Sequence, residues 1–133
     1  MKEPHWLTTA ECLALHDMML SEYGGIAGVR DENLLESALA KPRQLFAYGK
    51  PTVAEMAAAY AAGIIKSHPF LDGNKRTGFM LGAGFLERNG FEFHATEADA
   101  VMHTVALAAG QLGESAYATW LKVNSRRTPT RRG

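Results

Sequence analysis

Apolar residues recur every three or four positions along most of the chain, which is the spacing of one face of an α-helix. Thr8, Thr52 and Thr96 each precede such a stretch and are followed three residues later by an acidic residue, a pattern typical of capped helix starts. Gly, Pro and Asn residues mark most of the ends. The pattern predicts six helices, at about residues 8–24, 31–41, 52–67, 74–89, 96–111 and 114–124.

Two of the segments outside these helices carry predictions of their own. Residues 41–51 are bracketed by prolines and contain Gly49, so we expect an irregular loop or a small flap before the central helices. The C-terminal segment SRRTPTRRG has no apolar side chain to bury, so we expect a flexible basic tail. We therefore predict one compact all-α domain of six helices over residues 1–125, followed by the tail at 126–133.

The composition agrees with a helical, soluble domain. Ala and Leu number 21 and 14 among the 133 residues, whereas Val and Ile together number 8. The formal net charge of zero argues against binding nucleic acid or anionic lipid through the overall field, so we expect neither a direct nucleic-acid partner nor a membrane partner. The single cysteine, Cys12, excludes an internal disulfide and a zinc site built on paired thiolates.

Two further observations concern where the protein acts. The longest nearly apolar run, residues 56–65, is well short of the ~20 residues needed to cross a bilayer. The first residues, MKEPHWLTTAEC, lack the apolar core of a signal peptide. We therefore expect a cytoplasmic protein.

The segment HPFLDGNKR, residues 68–76, carries the candidate chemistry at the start of the fourth helix. The first amides of a helix are unpaired and lie at the positive end of its dipole, so they can bind an anion. Gly73 lets the backbone approach a ligand closely because it has no Cβ. Lys75 and Arg76 are the wrong sign for the dipole, which is reasonable if a phosphate lies there.

Three other side chains extend this set. Asp72 is a hard oxygen ligand suited to Mg²⁺ on nucleotide phosphates. Asn74 can cap the helix or hydrogen-bond a phosphate oxygen. His68 can accept a proton near neutral pH. Taken alone, a buried core histidine, a turn aspartate and solvated cations are the plainer interpretations, but together the residues favour phosphoryl or nucleotidyl transfer.

HPFLDGNKR resembles the signature of the Fic/Doc superfamily. Fic enzymes have glycine at the position of Lys75, and in this respect the sequence resembles the death-on-curing (Doc) branch. The likeness extends over residues 25–51, 57–79 and 85–93. The resemblance implies a compact helical core in which His68 is the catalytic general base. It also implies that Phe70 anchors the loop in the core and that Asp72 holds the metal.

The same resemblance implies that Gly73, Asn74, Lys75 and Arg76 bind the phosphates. ATP would be the substrate together with Mg²⁺, and its γ-phosphate would pass to a Ser or Thr hydroxyl of a translation factor, elongation factor Tu in the family. The chain would then be the toxin of a type II toxin–antitoxin system that arrests translation. Adenylyl transfer is the alternative, and Phe79 disfavours it because many Fic enzymes have a second arginine there.

The resemblance also bears on partners. Fic proteins that inhibit themselves carry Ser/Thr-x-x-x-Glu-Gly/Asn, and here Glu32-Asn33 has Gly28 in the place of the Ser or Thr. A separate Phd-like antitoxin, with its C-terminal segment in the active-site cleft, is therefore expected. A non-catalytic antitoxin-binding module is a further alternative. Residues 41–51 would be either the flap that receives the target by strand addition or a plain connecting loop.

Several polar residues remain outside this scheme. Four histidines lack ligand-like spacing and are interpreted as surface or packed residues: His5, His16, His94 and His103. The cluster Arg30-Asp31-Glu32 is interpreted as the start of the second helix, with no catalytic role.

Overall fold

A computed structural model describes residues 2–129 of the chain. The described part contains six α-helices and one small antiparallel sheet of two strands. In chain order the elements are α1 (Thr9–Tyr23), α2 (Glu32–Tyr48), α3 (Val53–Ser67), α4 (Asn74–Arg88), β1 (Phe91–Phe93), α5 (Glu97–Ala108), α6 (Glu114–Val123) and β2 (Ser125–Arg127). The predicted all-α fold of six helices is confirmed.

The threonines that we expect to begin helices do so. At α1 the Thr8 hydroxyl accepts from the Glu11 amide at 3.1 Å, and the Glu11 carboxylate accepts from the Thr8 amide at 3.0 Å. The same reciprocal pair forms at α3 between Thr52 and Glu55. Each pair satisfies two backbone donors that a helix start leaves unpaired, which is why these two boundaries follow from local sequence.

Helix α3 is the centre of the core, and every residue from 57 to 65 is buried. It packs against α2, α4 and α6. Glycines allow the closest approaches: a Cβ on Gly78 of α4 would lie 2.7 Å from Ile65 Cγ1, and one on Gly63 would lie 3.0 Å from Ala38 Cβ of α2. Because these contacts leave little free space, the two ends of α3 and α4 that flank residues 68–73 are held at a fixed separation.

The predicted end of the second helix before Pro42 is wrong, as is the irregular segment for residues 41–48, because α2 continues to Tyr48. Pro42 removes one helical hydrogen bond, but it is buried and continues the apolar spacing of the inner face. Phe46, one turn later, packs edge-on against Trp6 with ring centroids 5.8 Å apart. Burial on both sides of the proline therefore outweighs the lost hydrogen bond, and only residues 49–52 separate α2 from α3.

The C-terminal segment also differs from the prediction at its first residues. β2 pairs antiparallel with β1, with Phe91 opposite Arg127. Arg126 Nε donates to Glu92 Oε2 at 3.0 Å, and the Arg127 guanidinium lies 5.3 Å from the centre of the Phe91 ring. The predicted flexible tail is thus wrong for residues 126 and 127, since backbone pairing and arginine side chains can order a strand without apolar residues of its own. Residues 130–133 of that tail lie outside the described part.

Within residues 2–129, none of the helices has the length and apolar character required to span a membrane.

Candidate active site

His68 ends α3 in a left-handed backbone conformation, with φ 52° and ψ 58°. Its amide donates to the Ile64 carbonyl at 3.1 Å, so the residue closes the last turn of the helix, and its side chain is exposed. A left-handed residue with a Cβ costs about 1–2 kcal/mol. The residue before a proline normally adopts an extended backbone, and Pro69 follows. His68 therefore needs support from its surroundings.

Asn74, the first residue of α4, closes the loop that His68 begins. Its side chain is buried; Oδ1 accepts from the Phe70 amide and Nδ2 donates to the Phe70 carbonyl, both at 3.0 Å. These two backbone partners fix the orientation of the amide, and they leave Nδ2 at 3.4 Å from His68 Nδ1. The Asn74 side chain therefore does not cap α4 but holds the loop and faces the histidine ring.

Beneath the loop, Phe70 is fully buried and stacks on His16 of α1, with ring centroids 3.8 Å apart and planes 9° from parallel. His16 Nε2 lies 2.8 Å from the Asp72 carbonyl oxygen, so that nitrogen carries the proton and donates. His16 is a packed residue, as interpreted above, but its contact with the loop was not foreseen. The loop is therefore fixed to α1 by one stacking contact and one hydrogen bond.

The Asp72 carboxylate is exposed and contacts two backbone amides. Oδ1 accepts from Gly73 at 2.9 Å and Oδ2 accepts from Ile26 at 3.2 Å. Gly25 permits this approach, since a Cβ there would lie 2.8 Å from Asp72 Oδ2 and its φ of 130° suits glycine. The carboxylate thus connects the loop to the segment after α1 and keeps further lone pairs directed outward.

Helix α4 starts without a side-chain cap. Gly73 occupies the N-cap position with φ 79°, and the first turn contains no acidic residue. Lys75 and Arg76 are both exposed there, and the Arg76 guanidinium lies 4.3 Å above the centre of the Tyr23 ring. The amides of this first turn and two cations therefore lie together, one short loop away from the exposed His68.

Residues 28–31, which precede α2, pair with the loop. Val29 forms an antiparallel bridge with Phe70, and the Pro69 carbonyl accepts from the amides of Arg30 and Asp31 at 2.6 and 3.0 Å. Asp31 caps α2, as predicted, by accepting from the Leu34 amide at 3.0 Å. These contacts connect the loop to the segment that precedes α2.

The Arg30 side chain, in contrast, does not serve the start of α2. Its Nε donates to the His68 carbonyl at 2.7 Å and its Nη2 donates to the Ser67 carbonyl at 2.8 Å. Arg30 lies 37 positions before Ser67 and 38 before His68 in the chain, so no local sequence pattern could reveal the contact.

The loop and its supports lie within residues 6–86, which match the model of the Fic/DOC family. The chain belongs to the Fic/Doc family. It is 32% identical over 117 residues to the protein kinase Doc of Escherichia phage P1, a match that covers 87% of this chain and 92% of the phage protein. It is 36% identical over 91 residues to the toxin Doc of Mycolicibacterium smegmatis, covering 63% of this chain and 69% of that protein. The predicted Fic/Doc resemblance is confirmed.

The donors around the Fic/Doc loop fit Mg²⁺ only in company with a phosphate ligand. In residues 2–129, no three His, Cys, Asp or Glu side chains come together to hold a metal ion. Asp72 offers one carboxylate whose oxygens already accept two amides, whereas Mg²⁺ requires near-octahedral oxygen coordination. Asp72 is therefore the carboxylate of the loop that could contribute a ligand, and a bound Mg²⁺ would need phosphate oxygens and water as further ligands.

The Cys12 thiol is not a candidate nucleophile in this Fic/Doc domain. Cys12 lies in the core, and burial raises the pKa of its thiol to about 12. A thiol protonated at neutral pH is a poor nucleophile. The candidate chemistry therefore rests on the His68 imidazole and on the amides and cations at the start of α4.

Proposed function

We propose that this chain is a Doc-type toxin with protein kinase activity, acting in the cytoplasm of the cell that makes it. One observation carries the proposal: the exposed His68 ring lies one short loop before an uncapped helix start that bears Lys75 and Arg76. The names of the two relatives, a protein kinase and a toxin, support the same activity.

In the proposed reaction, His68 accepts the proton of a Ser or Thr hydroxyl on the target as that oxygen attacks the γ-phosphorus of ATP. The bond from the γ-phosphorus to the bridging oxygen breaks, and ADP leaves. The open amides at Asn74 and the residues after it, with Lys75 and Arg76, hold phosphate oxygens. Asp72 would hold Mg²⁺, which neutralises charge on the phosphates when bound.

The proposed target is a translation factor, with elongation factor Tu the first to test, and its phosphorylation would arrest translation. In this proposal the regulator is a Phd-like antitoxin whose C-terminal segment lies in the cleft beside His68. The sequence lacks the self-inhibitory Ser/Thr-x-x-x-Glu-Gly/Asn pattern, which supports control by a separate protein.

The decisive experiment compares ATP labelled at the α-phosphate with ATP labelled at the γ-phosphate, each incubated with the purified chain, Mg²⁺ and elongation factor Tu. We expect label on the factor only from the γ position. Label from the α position would replace the kinase by an adenylyltransferase. A chain that binds no nucleotide and does not arrest growth when expressed in bacteria would instead be a non-catalytic antitoxin-binding module.

We predict that His68→Ala lowers phosphate transfer by about 100- to 10,000-fold, the usual contribution of a general base, and abolishes growth arrest. The side chain is exposed, so the fold should persist, as circular dichroism can check. His94→Ala is the matched control, because that side chain is 66% exposed and pairs with Glu92 beside β1. Full activity in His68→Ala would contradict the assignment of the base.

A further inference from the structure

We propose that Arg30 is a positioning residue for His68, a role that rests on the proposed function of His68 as general base. The guanidinium donates to two successive carbonyls, those of Ser67 and His68, at 2.8 and 2.7 Å. Both carbonyls lie at the negative end of α3, where a cation is favourable. Arg30 thus binds the two peptide groups on either side of the residue whose ring carries out the chemistry.

The backbone of His68 explains why such a contact matters. Its ψ of 58° differs by about 60–100° from the extended values that a residue before proline prefers. A rotation of that size would turn the His68 carbonyl away from Arg30 and redirect the Cβ of His68 relative to α4. The hydrogen bond from Nε is therefore made in the left-handed conformation and lost in the extended one.

The other supports of the loop act on different atoms. Backbone pairing with residues 28–31 holds Pro69, Phe70 and Leu71, which follow the turn. The contact from Asn74 Nδ2 to the His68 ring is long, at 3.4 Å. The bond from the His68 amide to the Ile64 carbonyl holds the N-terminal side of the turn. Among the described side chains, Arg30 is the donor to the carbonyls of Ser67 and His68, so it holds the C-terminal side.

Two chemical properties of arginine suit this position. The planar guanidinium presents donors at fixed spacing, which lets one side chain reach two neighbouring carbonyls. A lysine ammonium is a single donor centre and cannot reproduce that fork. In the described residues, no hydrogen bond or ion pair joins Arg30 to the proposed phosphate site at 73–76, so Arg30 should not affect the binding of ATP.

The test compares Arg30→Ala and Arg30→Lys with the parent chain. The matched control is Arg43→Ala, which removes another exposed arginine, on α2. Three quantities are measured: kcat of phosphate transfer, KM for ATP, and the ¹³Cα and ¹³Cβ chemical shifts of His68, which report its backbone conformation. For Arg30→Ala we expect kcat to fall about 10- to 100-fold, the effect of a small misplacement of a catalytic group, with KM changed less than about two-fold. The His68 shifts should move toward extended values. Arg30→Lys should lie between, and Arg43→Ala should match the parent.

The outcomes separate this role from a structural one. Unchanged kcat in Arg30→Ala overturns the proposal, and so does a fall in kcat in a folded Arg30→Ala chain whose His68 shifts stay as in the parent. If Arg30→Ala does not fold, Arg30→Lys carries the same test. A parent chain that transfers no phosphate contradicts the proposed function instead, and the His68 shifts alone then decide whether Arg30 sets the turn.

Discussion

The start of α4 differs from the starts of α1, α3 and α5. Those three helices begin with a threonine whose hydroxyl accepts a backbone amide, and each has an acidic residue in its first turn. Helix α4 has Gly73 at its N-cap position and no side-chain cap, and it places Lys75 and Arg76 where the dipole favours acids. The start of α4 therefore lacks two stabilising features of those three starts, and no described side chain caps its first amides.

Helix α6 shows which part of that difference matters. It also begins with a glycine, Gly113, and without a side-chain cap, but its first turn contains Glu114. A missing cap alone is therefore compatible with an ordinary helix start. The sign of the charge distinguishes α4, and together with His68 it is the basis on which we propose a phosphate site there.

Among the predictions that concern the helix starts, the largest effect comes from giving α4 the charge of the other helix starts. Lys75→Glu should weaken ATP binding by about 10- to 100-fold, because a charge-assisted phosphate contact worth about 1.5–3 kcal/mol is replaced by repulsion. The same change should raise the free energy of unfolding by about 0.3–1 kcal/mol, since the carboxylate suits the dipole. Titration calorimetry with ATP and urea unfolding measure the two quantities.

The reciprocal control is Glu55→Lys at the third position of α3. It removes half of a capping box and opposes the dipole, so it should lower the free energy of unfolding and leave ATP binding as in the parent. A Lys75→Glu chain that binds ATP normally would contradict the phosphate site. A Glu55→Lys chain that loses ATP binding would show that any weakened helix start has the same effect.

The contrast between helix starts also explains what the sequence could reveal. The capping boxes at Thr8 and Thr52 and the motif at 68–76 involve residues at most a few positions apart, so their spacing predicts them. The contacts of His16 and Arg30 with the motif loop span 56 and 38 positions, and only the packed fold creates them. Pro42 failed as a helix stop for the same reason, because burial in the core overrides a local preference.

A second prediction asks what holds an uncapped helix start in place. His16→Phe keeps a ring to stack on Phe70 but removes the donor to the Asp72 carbonyl. The free energy of unfolding should fall by about 1 kcal/mol, the usual net contribution of one hydrogen bond. His16→Gln loses the ring but retains a side-chain donor that can bind the Asp72 carbonyl. We therefore expect higher phosphate transfer in His16→Gln than in His16→Phe, both measured where the two chains are fully folded. Urea unfolding measures the free energies and the transfer assay measures the activities. Identical activities in the two variants would contradict a role of the His16–Asp72 hydrogen bond in holding the loop.

The smallest predicted effect concerns the acid at the start of α1, for which we expect an effect on stability and none on activity. Glu11 pairs with Arg88 of α4, and hydrogen bonds from Arg88 and the Thr8 amide lower its pKa from 4.5 to about 2. A carboxylate with a depressed pKa in the folded state contributes stability above its unfolded pKa, and that contribution is lost as the pH falls from about 4.5 toward 2. In Glu11→Gln the free energy of unfolding should therefore fall less over this interval, with a difference below about 1 kcal/mol because the pair is partly exposed.

Glu36→Gln on the exposed face of α2 is the control and should follow the parent. Phosphate transfer at pH 7 should be the same in all three chains, since the contacts of Glu11 are with Thr8 and Arg88 and not with the motif loop. A loss confined to Glu11→Gln would mean that this end of the domain also supports the active site.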